Sequence, residues 1–240
     1  MSEDGPEELD FEQRRAAARA RLNALVGADG DLPDARRTWF EQVYDLAGGD
    51  PAAIPWADLA PKPALVEWLA GNPGQNGPGQ GRRAVDIACG LGDNAEALSA
   101  AGYRTTAFDL APGAVQWARR RFPSSSVDYR VGDLFDLPAE WHGAFDLVHE
   151  YYTIQALSGA LRAAAFGAIA GLAAPGAALF VVCRSRDDGE ACDGPPWPVS
   201  PGELAAFEGF GLDIQSRRSF VTEKSGRVIP HLETVYRKRP

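Results

Sequence analysis

Three aspartates stand at or near the ends of apolar, strand-like segments, and their positions bear on the ligand of this chain. Asp86 precedes Gly90 by four residues in VDIACGLGDNA, Asp109 ends TTAFD, and Asp133 follows a third such segment in VGDLFDLP. The glycines of the first stretch let a backbone approach a ligand closely, and the following helix would present free N–H groups to it. The pattern predicts a nucleotide-like ligand at the carboxyl ends of parallel strands.

The charges on these residues separate two classes of ligand. Residues 90–95 fit G-x-G-x-x-A, a pattern shared with dinucleotide-binding turns, so a nicotinamide-dependent oxidoreductase stays open on those letters. A pyrophosphate beside Asp86 would be repelled, whereas an ammonium and a sulfonium would be attracted. Asp109 can accept from two ribose hydroxyls, and Asp133 can accept from an adenine amino group. Together the three carboxylates favour S-adenosylmethionine, a cationic nucleoside without phosphate.

Regularly alternating elements after residue 81 position these carboxylates. Strands are predicted at 83–89, 103–109, 126–132, 145–152 and 177–183, with helices at 94–101, 112–122 and 161–172. Two last strands, 211–220 and 228–238, have no helix between them and should pair antiparallel. The fold class is therefore α/β: a doubly wound, mostly parallel seven-stranded sheet with an antiparallel C-terminal hairpin.

The first third of the chain has a different character. Helices are predicted at 7–26, at 33–47 with Trp39 and Phe40 on an aromatic face, and at 63–70. A Gly- and Pro-rich connection over 71–81 is the predicted boundary. We therefore divide the chain into a helical N-terminal lid with its linker, residues 1–81, and a main domain, residues 82–240.

Composition limits the partners. The 240 residues carry a net charge of −9, and no basic run exceeds the three arginines at 119–121, which disfavours nucleic acid and anionic membranes. No apolar run approaches the roughly 18 residues of a membrane span. The acidic N-terminus is unlike a signal peptide, and Cys89, Cys183 and Cys192 form no metal or disulfide pattern. These features predict a cytoplasmic protein with a small-molecule partner and no metal, and they leave the oligomeric state open.

Four stretches carry a family resemblance. VDIACGLGDNA, AFDLAPGAV, VGDLFDLP and FDLVHEYYTIQAL resemble the successive motifs of class I S-adenosylmethionine-dependent methyltransferases, which have a Rossmann-like fold. IPWADLAPKPALVEW and GPPWPVSPGEL are similar to segments of the thiopurine and thiol methyltransferase group. The chain departs from the motif with Ala88 where Gly is common and Asn94 where a third Gly often stands. An alanine can end a strand, and asparagine tolerates unusual backbone angles.

The resemblance implies methyl transfer from S-adenosylmethionine to a small molecule, with S-adenosylhomocysteine as the product. A thiol acceptor is implied by the two group-specific stretches. The alternatives are an O- or N-methyltransferase of a specialised metabolite and a protein that binds the cofactor without catalysis. The residues implied at the cofactor are Trp39, Phe40, Asp86, Ala88, Gly90, Gly92, Asn94, Asp109, Leu110, Asp133, Leu134 and Glu150.

The methyl acceptor should bind where residues 149–153 follow the fourth strand, beneath a loop over 183–198. A sulfonium is already a good leaving group, so alignment matters most. A thiol needs no base, whereas a hydroxyl or a protonated amine benefits from one. The candidate catalytic residues are His149, Glu150 and Tyr152. The candidate substrate-binding residues are Tyr151, Tyr152, Arg184 and Trp197, and Arg186 is a further candidate for holding an acidic acceptor. His142 and His231 receive no role.

Overall fold

The computed structural model describes residues 11, 13–18, 33–71, 79–224 and 226–240. Its strands are β1 Arg83–Ile87, β2 Arg104–Asp109, β3 Asp128–Val131, β4 Phe145–Tyr151, β5 Ala173–Arg184, β6 Leu212–Lys224 and β7 Arg227–Lys238. Its α-helices are α1 Pro33–Ala47, α2 Pro63–Gly71, α3 Asp93–Ala100, α4 Pro112–Arg121, α5 Gly159–Leu172 and α6 Pro201–Leu204. Short 3₁₀ segments cover Pro51–Ala53, Ala139–Trp141, Ile154–Ala156 and Ala205–Phe210.

The strands form one sheet in the order β3-β2-β1-β4-β5-β7-β6. β1 to β5 are parallel, and β7 runs antiparallel between β5 and β6. The predicted seven-stranded sheet with its closing hairpin is confirmed. Because β1 and β4 are neighbours while the chain leaves β1 toward β2, the strand order reverses between them. In open α/β sheets this switch point is where ligands bind.

Helices cover both faces of the sheet. Alternate residues of β5 serve the two faces: Leu179 and Val181 lie in the core beneath α5, and Phe180 and Val182 lie in the core beneath α2 and α3. Burial on both faces explains why the central strands read as nearly continuous apolar runs. β5 begins earlier than predicted, because Ala173 already pairs with Phe145 before a register shift.

α1 packs on α4 through a separate small core that includes Val43, Ala114 and Trp117. Residues 13–18 are helical, and the remainder of the helix predicted at 7–26 lies outside the described residues. α2 ends at Gly71, and 72–78 of the predicted connection are likewise outside them. No helix of the described residues has the length and apolar character to cross a membrane.

Candidate cofactor and acceptor site

The turn between β1 and α3 needs left-handed backbone at three positions. Gly90 and Gly92 have φ of 54° and 92°, and a Cβ on Gly92 would lie 2.5 Å from the Tyr129 hydroxyl oxygen, so only glycine fits there. Ala88 has φ of 52°. For a residue with a Cβ this conformation costs about 1 kcal/mol. The backbone of Ala88, which stands where glycine is common, is therefore strained.

Asp109 ends β2 and holds this turn. Its Oδ2 accepts from the Gly90 N–H at 3.0 Å, and its Oδ1 accepts from the Ala111 N–H at 2.9 Å. Burial raises the pKa of the carboxyl to about 6, and the two backbone donors oppose that rise. Each carboxylate oxygen keeps a further lone pair for a ligand hydroxyl. The half-buried Leu110 follows directly.

Asp86 and His149 form a buried pair on the neighbouring strands β1 and β4. Asp86 Oδ1 lies 2.6 Å from His149 Nδ1, and the two side chains are 2% and 0% exposed. The His149 ring stacks on Phe180 and on Tyr151. Asp86 Oδ2 and His149 Nε2 have no hydrogen-bond partner among the described residues. An imidazole enclosed in this way does not fit the general-base role considered for His149 from the sequence.

Asp133, expected at the adenine edge, is paired with an arginine of α1. Both carboxylate oxygens lie 3.0–3.1 Å from Arg36 Nη2, and Arg37 Nη2 is 3.8 Å away. The Arg36 guanidinium also lies 5.0 Å from the centroid of the Phe135 ring. Leu134 is buried in the main core instead of lining an open edge. Arg36 was not among the predicted site residues, because a single arginine on a polar helix face forms no recognisable pattern.

Four aromatic side chains, which we call the aromatic cap, lie over the glycine turn: Trp39, Phe40, Tyr44 and Trp56. Their ring centroids are 4.8 to 6.2 Å apart, and the Trp56 Nε1–H donates to the Tyr44 hydroxyl at 3.1 Å. A Cβ on Gly90 would lie 3.6 Å from the Tyr44 hydroxyl oxygen. Sequence reasoning placed Trp39 and Phe40 here and gave no role to Tyr44 or Trp56. The Pro-Trp segment it singled out contains Trp56.

The loop that carries Trp56 is tied to the start of α3. Asn94 Oδ1 accepts from the Lys62 backbone N–H at 2.9 Å. The asparagine therefore fixes this loop against the helix instead of extending the glycine turn.

Glu150, near the end of β4, is fully buried and holds the following turn. Its Oε1 accepts from the backbone N–H groups of Thr153 and Ile154 at 2.5 and 2.9 Å. Burial raises its pKa to about 7, and the backbone donors oppose this. Its Oε2 has no hydrogen-bond partner within the described part of the chain. Because Glu150 is buried and bonded to this turn, it is better placed to hold the shape of the site than to accept a proton from the methyl acceptor.

Tyr151 and Tyr152 stand beside a basic residue and a histidine. Lys62 Nζ lies 5.5 and 5.3 Å from the centroids of the two tyrosine rings. The Tyr152 hydroxyl oxygen is 2.5 Å from His231 Nε2. The sequence analysis predicted no role for His231. Its position near the site follows only from the register of β7 against β5, which places His231 opposite Arg184.

Arg184, which ends β5, and Arg186, which follows it, differ in their partners. Arg186 pairs with Glu203 at 2.8 Å and donates to loop carbonyls. Arg184 has no carboxylate partner within the described ranges, and its buried Nε has no hydrogen-bond partner there. Arg184 is paired with His231 across β5 and β7, so the two side chains lie on the same face of the sheet. Arg184 is therefore the arginine with a charge left for a ligand.

Trp197 lies away from the tyrosines. It lines a groove of about 770 Å³ with Arg162, Phe166 and Phe210, on the α5 face of the sheet. Tyr151 and Tyr152 pack on the opposite face. The structure thus brings Arg184 near Tyr152 and does not bring Trp197 there. Within the described residues, no cluster of three or more His, Cys, Asp or Glu side chains is arranged to hold a metal ion.

Comparisons with known proteins agree with this geometry. Residues 84–176 match a family model described as a methyltransferase domain. The ubiquinone biosynthesis O-methyltransferase of Xanthomonas campestris pv. campestris is 40% identical over 108 residues. This match covers 44% of either chain, so the chain spans less than half the length of that relative.

Solved structures share the fold at lower identity. Burkholderia thailandensis 1,6-didemethyltoxoflavin-N1-methyltransferase, with its substrate and S-adenosylhomocysteine bound, has a TM-score of 0.65 and 17% identity, over 90% of this chain and 92% of that one. A structure described as the conversion of a disulfide bond into a thioacetal group during echinomycin biosynthesis has a TM-score of 0.61 and 22% identity, over 77% and 84%. Residues 84–176 are therefore similar to a methyltransferase domain, and the chain shares the Rossmann-like fold of these solved structures.

Proposed function

We propose that the protein transfers a methyl group from S-adenosylmethionine to a small-molecule acceptor and releases S-adenosylhomocysteine. The observation that carries this proposal is the glycine turn at the switch point of the sheet, held by Asp109 and lying beneath the aromatic cap. The methyltransferase-domain match over the same residues supports it.

The cofactor would lie along the carboxyl ends of β1 and β2. Its methionine end would contact the turn at Ala88, Gly90 and Gly92, its ribose would donate to Asp109, and its adenine would lie against Leu110. Asp133 would sit at the adenine edge together with Arg36. Aromatic faces stabilise a neighbouring cationic centre by roughly 0.5–2 kcal/mol, which suits the aromatic cap to a sulfonium. The segment 33–71 would then act as the lid over the cofactor.

The chemistry asks mainly for alignment. The acceptor atom attacks the methyl carbon from the side opposite sulfur, and the carbon–sulfur bond pair returns to sulfur as the new bond forms. Holding both reactants in this geometry can supply about 7–11 kcal/mol of the barrier reduction. Tyr151 ends β4, the strand next to β1, and Tyr152 follows it. Both side chains are only partly buried. They are the side chains we assign to the acceptor.

Oxygen or nitrogen is the acceptor atom that this arrangement supports best. The contact between Tyr152 and His231 provides a hydrogen-bonded pair that a hydroxyl or an amine can use and a thiolate does not require. A thiol, implied by the loops at 54–68 and 194–204, is the second candidate. The structural neighbour from echinomycin biosynthesis is described as acting at a disulfide, which keeps sulfur in consideration.

Arg184 would hold an anionic group on the acceptor. It is half-buried, it is paired across the strands with His231, which contacts Tyr152, and it has no carboxylate partner in the described chain. A planar guanidinium recognises a carboxylate through two parallel hydrogen bonds. We therefore favour an acidic small molecule as the acceptor. The proposed setting is the cytoplasm, with neither nucleic acid nor membrane as a partner, as the net charge of −9 indicates.

The test combines binding and transfer. Calorimetry should show S-adenosylmethionine binding, and labelled methyl transfer should then be measured on 4-hydroxybenzoate, 4-aminobenzoate and 4-mercaptobenzoate. Their neutral carboxamides serve as the comparison for charge. Absence of cofactor binding overturns the proposed function.

Arg184→Gln should remove any preference for the acids over their carboxamides. Arg130→Gln, which removes a charge that is 59% exposed and lies on β3, should keep that preference. Equal rates on acids and carboxamides in the unaltered protein overturn the role of Arg184.

A further inference from the structure

Tyr152 has an unusual backbone conformation. Its φ is 75°, in the left-handed region that bulky residues rarely adopt, and the preceding strand ends at Tyr151. Such a conformation is strained and persists only where surrounding contacts hold it. Here the Tyr152 backbone N–H donates to the Val182 carbonyl at 3.1 Å, and the hydroxyl contacts His231. The strain orients the Tyr152 side chain across β5 toward β7.

The hydrogen bonds of His231 determine which nitrogen accepts. Nδ1 lies 2.9 Å from the Ile229 carbonyl oxygen, which only accepts, so Nδ1 carries the hydrogen. In a neutral ring Nε2 is then the bare nitrogen, and the Tyr152 hydroxyl donates to it. Burial lowers the pKa of His231 to about 4, and the charges of Arg184 and Lys62 add to this effect, which keeps the ring neutral near pH 7.

The closing hairpin fixes the imidazole. Its ring stacks on Phe220 of β6, with centroids 5.0 Å apart and planes at 13°, and it also stacks on Tyr152. His231 is 1% exposed, and its Nε2 contacts the Tyr152 hydroxyl, so Tyr152 can link the buried ring to a ligand. Tyr152 is only partly buried, and its ring centroid lies 4.5 Å from that of Tyr151.

We propose that His231 is a positioning residue that commits the hydroxyl hydrogen of Tyr152, so that the Tyr152 oxygen accepts from the O–H or N–H of the methyl acceptor. This inference rests on the proposed function and narrows it to acceptors that carry a hydrogen on the nucleophilic atom. Sequence motifs gave His231 no role, and its assignment comes from the register of the hairpin.

The proton has a defined path in this arrangement. As the acceptor atom bonds to the methyl carbon, the carbon–sulfur pair returns to sulfur and the acceptor hydrogen becomes strongly acidic. It passes to the Tyr152 oxygen while Tyr152 passes its own proton to Nε2 of His231. After product release the proton returns to solvent by the reverse path. For a hydroxyl acceptor a weakly basic imidazole suffices, because the methylated, still protonated oxygen is a far stronger acid than an imidazolium.

The experiment compares acceptors that need this path with one that does not. A thiol ionises at lower pH than a phenol, so 4-mercaptobenzoate at pH 8 requires little help with its proton. The variants are His231→Phe, which removes the accepting nitrogen, and His231→Gln, which keeps an accepting oxygen without taking a proton. Tyr152→Phe removes the hydroxyl, and Arg130→Gln is the control.

We expect His231→Phe and Tyr152→Phe to lower kcat on 4-hydroxybenzoate about 100-fold, which is the scale of proton-transfer catalysis. His231→Gln should preserve KM and lower kcat. Transfer to 4-mercaptobenzoate by the two His231 variants should change less than about threefold, and S-adenosylmethionine affinity, measured by calorimetry on all samples, should be retained.

Equal losses on the phenol and the thiol with cofactor affinity intact would show a merely structural role and overturn the inference. Cofactor binding without transfer to 4-hydroxybenzoate or 4-aminobenzoate in the unaltered protein also overturns it. Absence of cofactor binding in the unaltered protein is a failure of the proposed function instead.

Discussion

The carboxylate of Asp109 accepts a hydrogen bond from the backbone N–H of Gly90, 19 positions earlier in the chain, at 3.0 Å. Through this bond the end of β2 fixes the turn that follows β1. The same carboxylate is the one expected to receive the ribose hydroxyls, so the geometry of the turn and the strength of ligand binding depend on a single side chain.

Asp109→Asn should weaken S-adenosylmethionine binding by about 10- to 100-fold. Hydrogen bonds to a charged group are worth roughly 1.5–3 kcal/mol, and the amide keeps only one oxygen to accept with. Calorimetry measures the change, with Asp128→Asn, an exposed aspartate of β3, as the control. Unchanged affinity in Asp109→Asn would show that the ribose lies elsewhere.

The pKa of Asp109 also sets a pH dependence for binding. The carboxylate accepts from hydroxyls, whereas the protonated acid loses part of that capacity. Since burial raises its pKa to about 6, affinity should be constant above pH 7 and decline as the pH falls below about 6. Calorimetric titrations at several pH values test this, and affinity that rises toward pH 5 would contradict it.

Ala88→Gly should stabilise the protein by about 0.5–1 kcal/mol. Glycine relieves the left-handed strain at φ of 52°, and part of that gain is offset by the greater freedom of glycine in the unfolded chain. Urea unfolding measures the difference. Ala101→Gly, at an ordinary φ of −76°, should instead lose stability, and a loss of similar size in both variants would argue against strain at Ala88.

Arg36 and Asp133 should be energetically coupled. Their side chains are only 9% and 15% exposed, so removing either partner leaves a mostly buried charge and should cost about 2 kcal/mol. In a double-mutant cycle with Arg36→Gln and Asp133→Asn, we expect a coupling of about 1–2 kcal/mol in urea unfolding. Arg37→Gln, which removes a 46% exposed arginine 3.8 Å from Asp133, should change stability by less than about 0.5 kcal/mol. Additive effects of the two central substitutions would contradict the pairing.

Glu150→Gln should make stability less sensitive to alkaline pH. The folded-state pKa of Glu150 is raised from 4.5 to about 7, so folding favours the protonated acid, and the stability this confers is lost as the pH rises from about 4.5 through 7. Relative to the unaltered protein, Glu150→Gln should therefore gain about 2 kcal/mol between pH 5 and pH 8. Unfolding curves at the two pH values measure the gain. A gain that is equal at both would mean that Glu150 does not ionise in this range.

The sheet and the glycine turn could be predicted from the sequence, because strands and turns depend mainly on residues that are close together in the chain. The apolar runs near Asp86 and Asp109 and the glycines between them predict two strands and a turn without reference to the rest of the chain. Contacts between elements that are distant in the chain produce no such local sequence pattern. Arg36 meets Asp133 across 97 positions, and Tyr152 meets His231 across 79, so both pairs depend on helix docking and strand register.

The enclosure of His149 was missed for a related reason. Its alternation with Leu147 and Tyr151 assigns it to one face of β4, and nothing local shows that Phe180 of the next strand covers its ring. The same holds for Trp197, whose loop was expected over the tyrosines and instead runs along α5. The periodicity of a strand predicts which side chains share a face of the sheet, but it does not predict which residues pack against that face.

The hairpin of β6 and β7 supplies His231 and Phe220, while the proposed cofactor contacts in the matched domain lie between residues 86 and 134. Among the residues proposed to serve the methyl acceptor, those on this hairpin are thus encoded apart from the stretch proposed to hold the methyl donor. Recombination or drift in the last 30 or so codons could retarget the enzyme to new metabolites without disturbing its cofactor affinity. We expect grafts of this hairpin between homologous enzymes to carry selectivity with them.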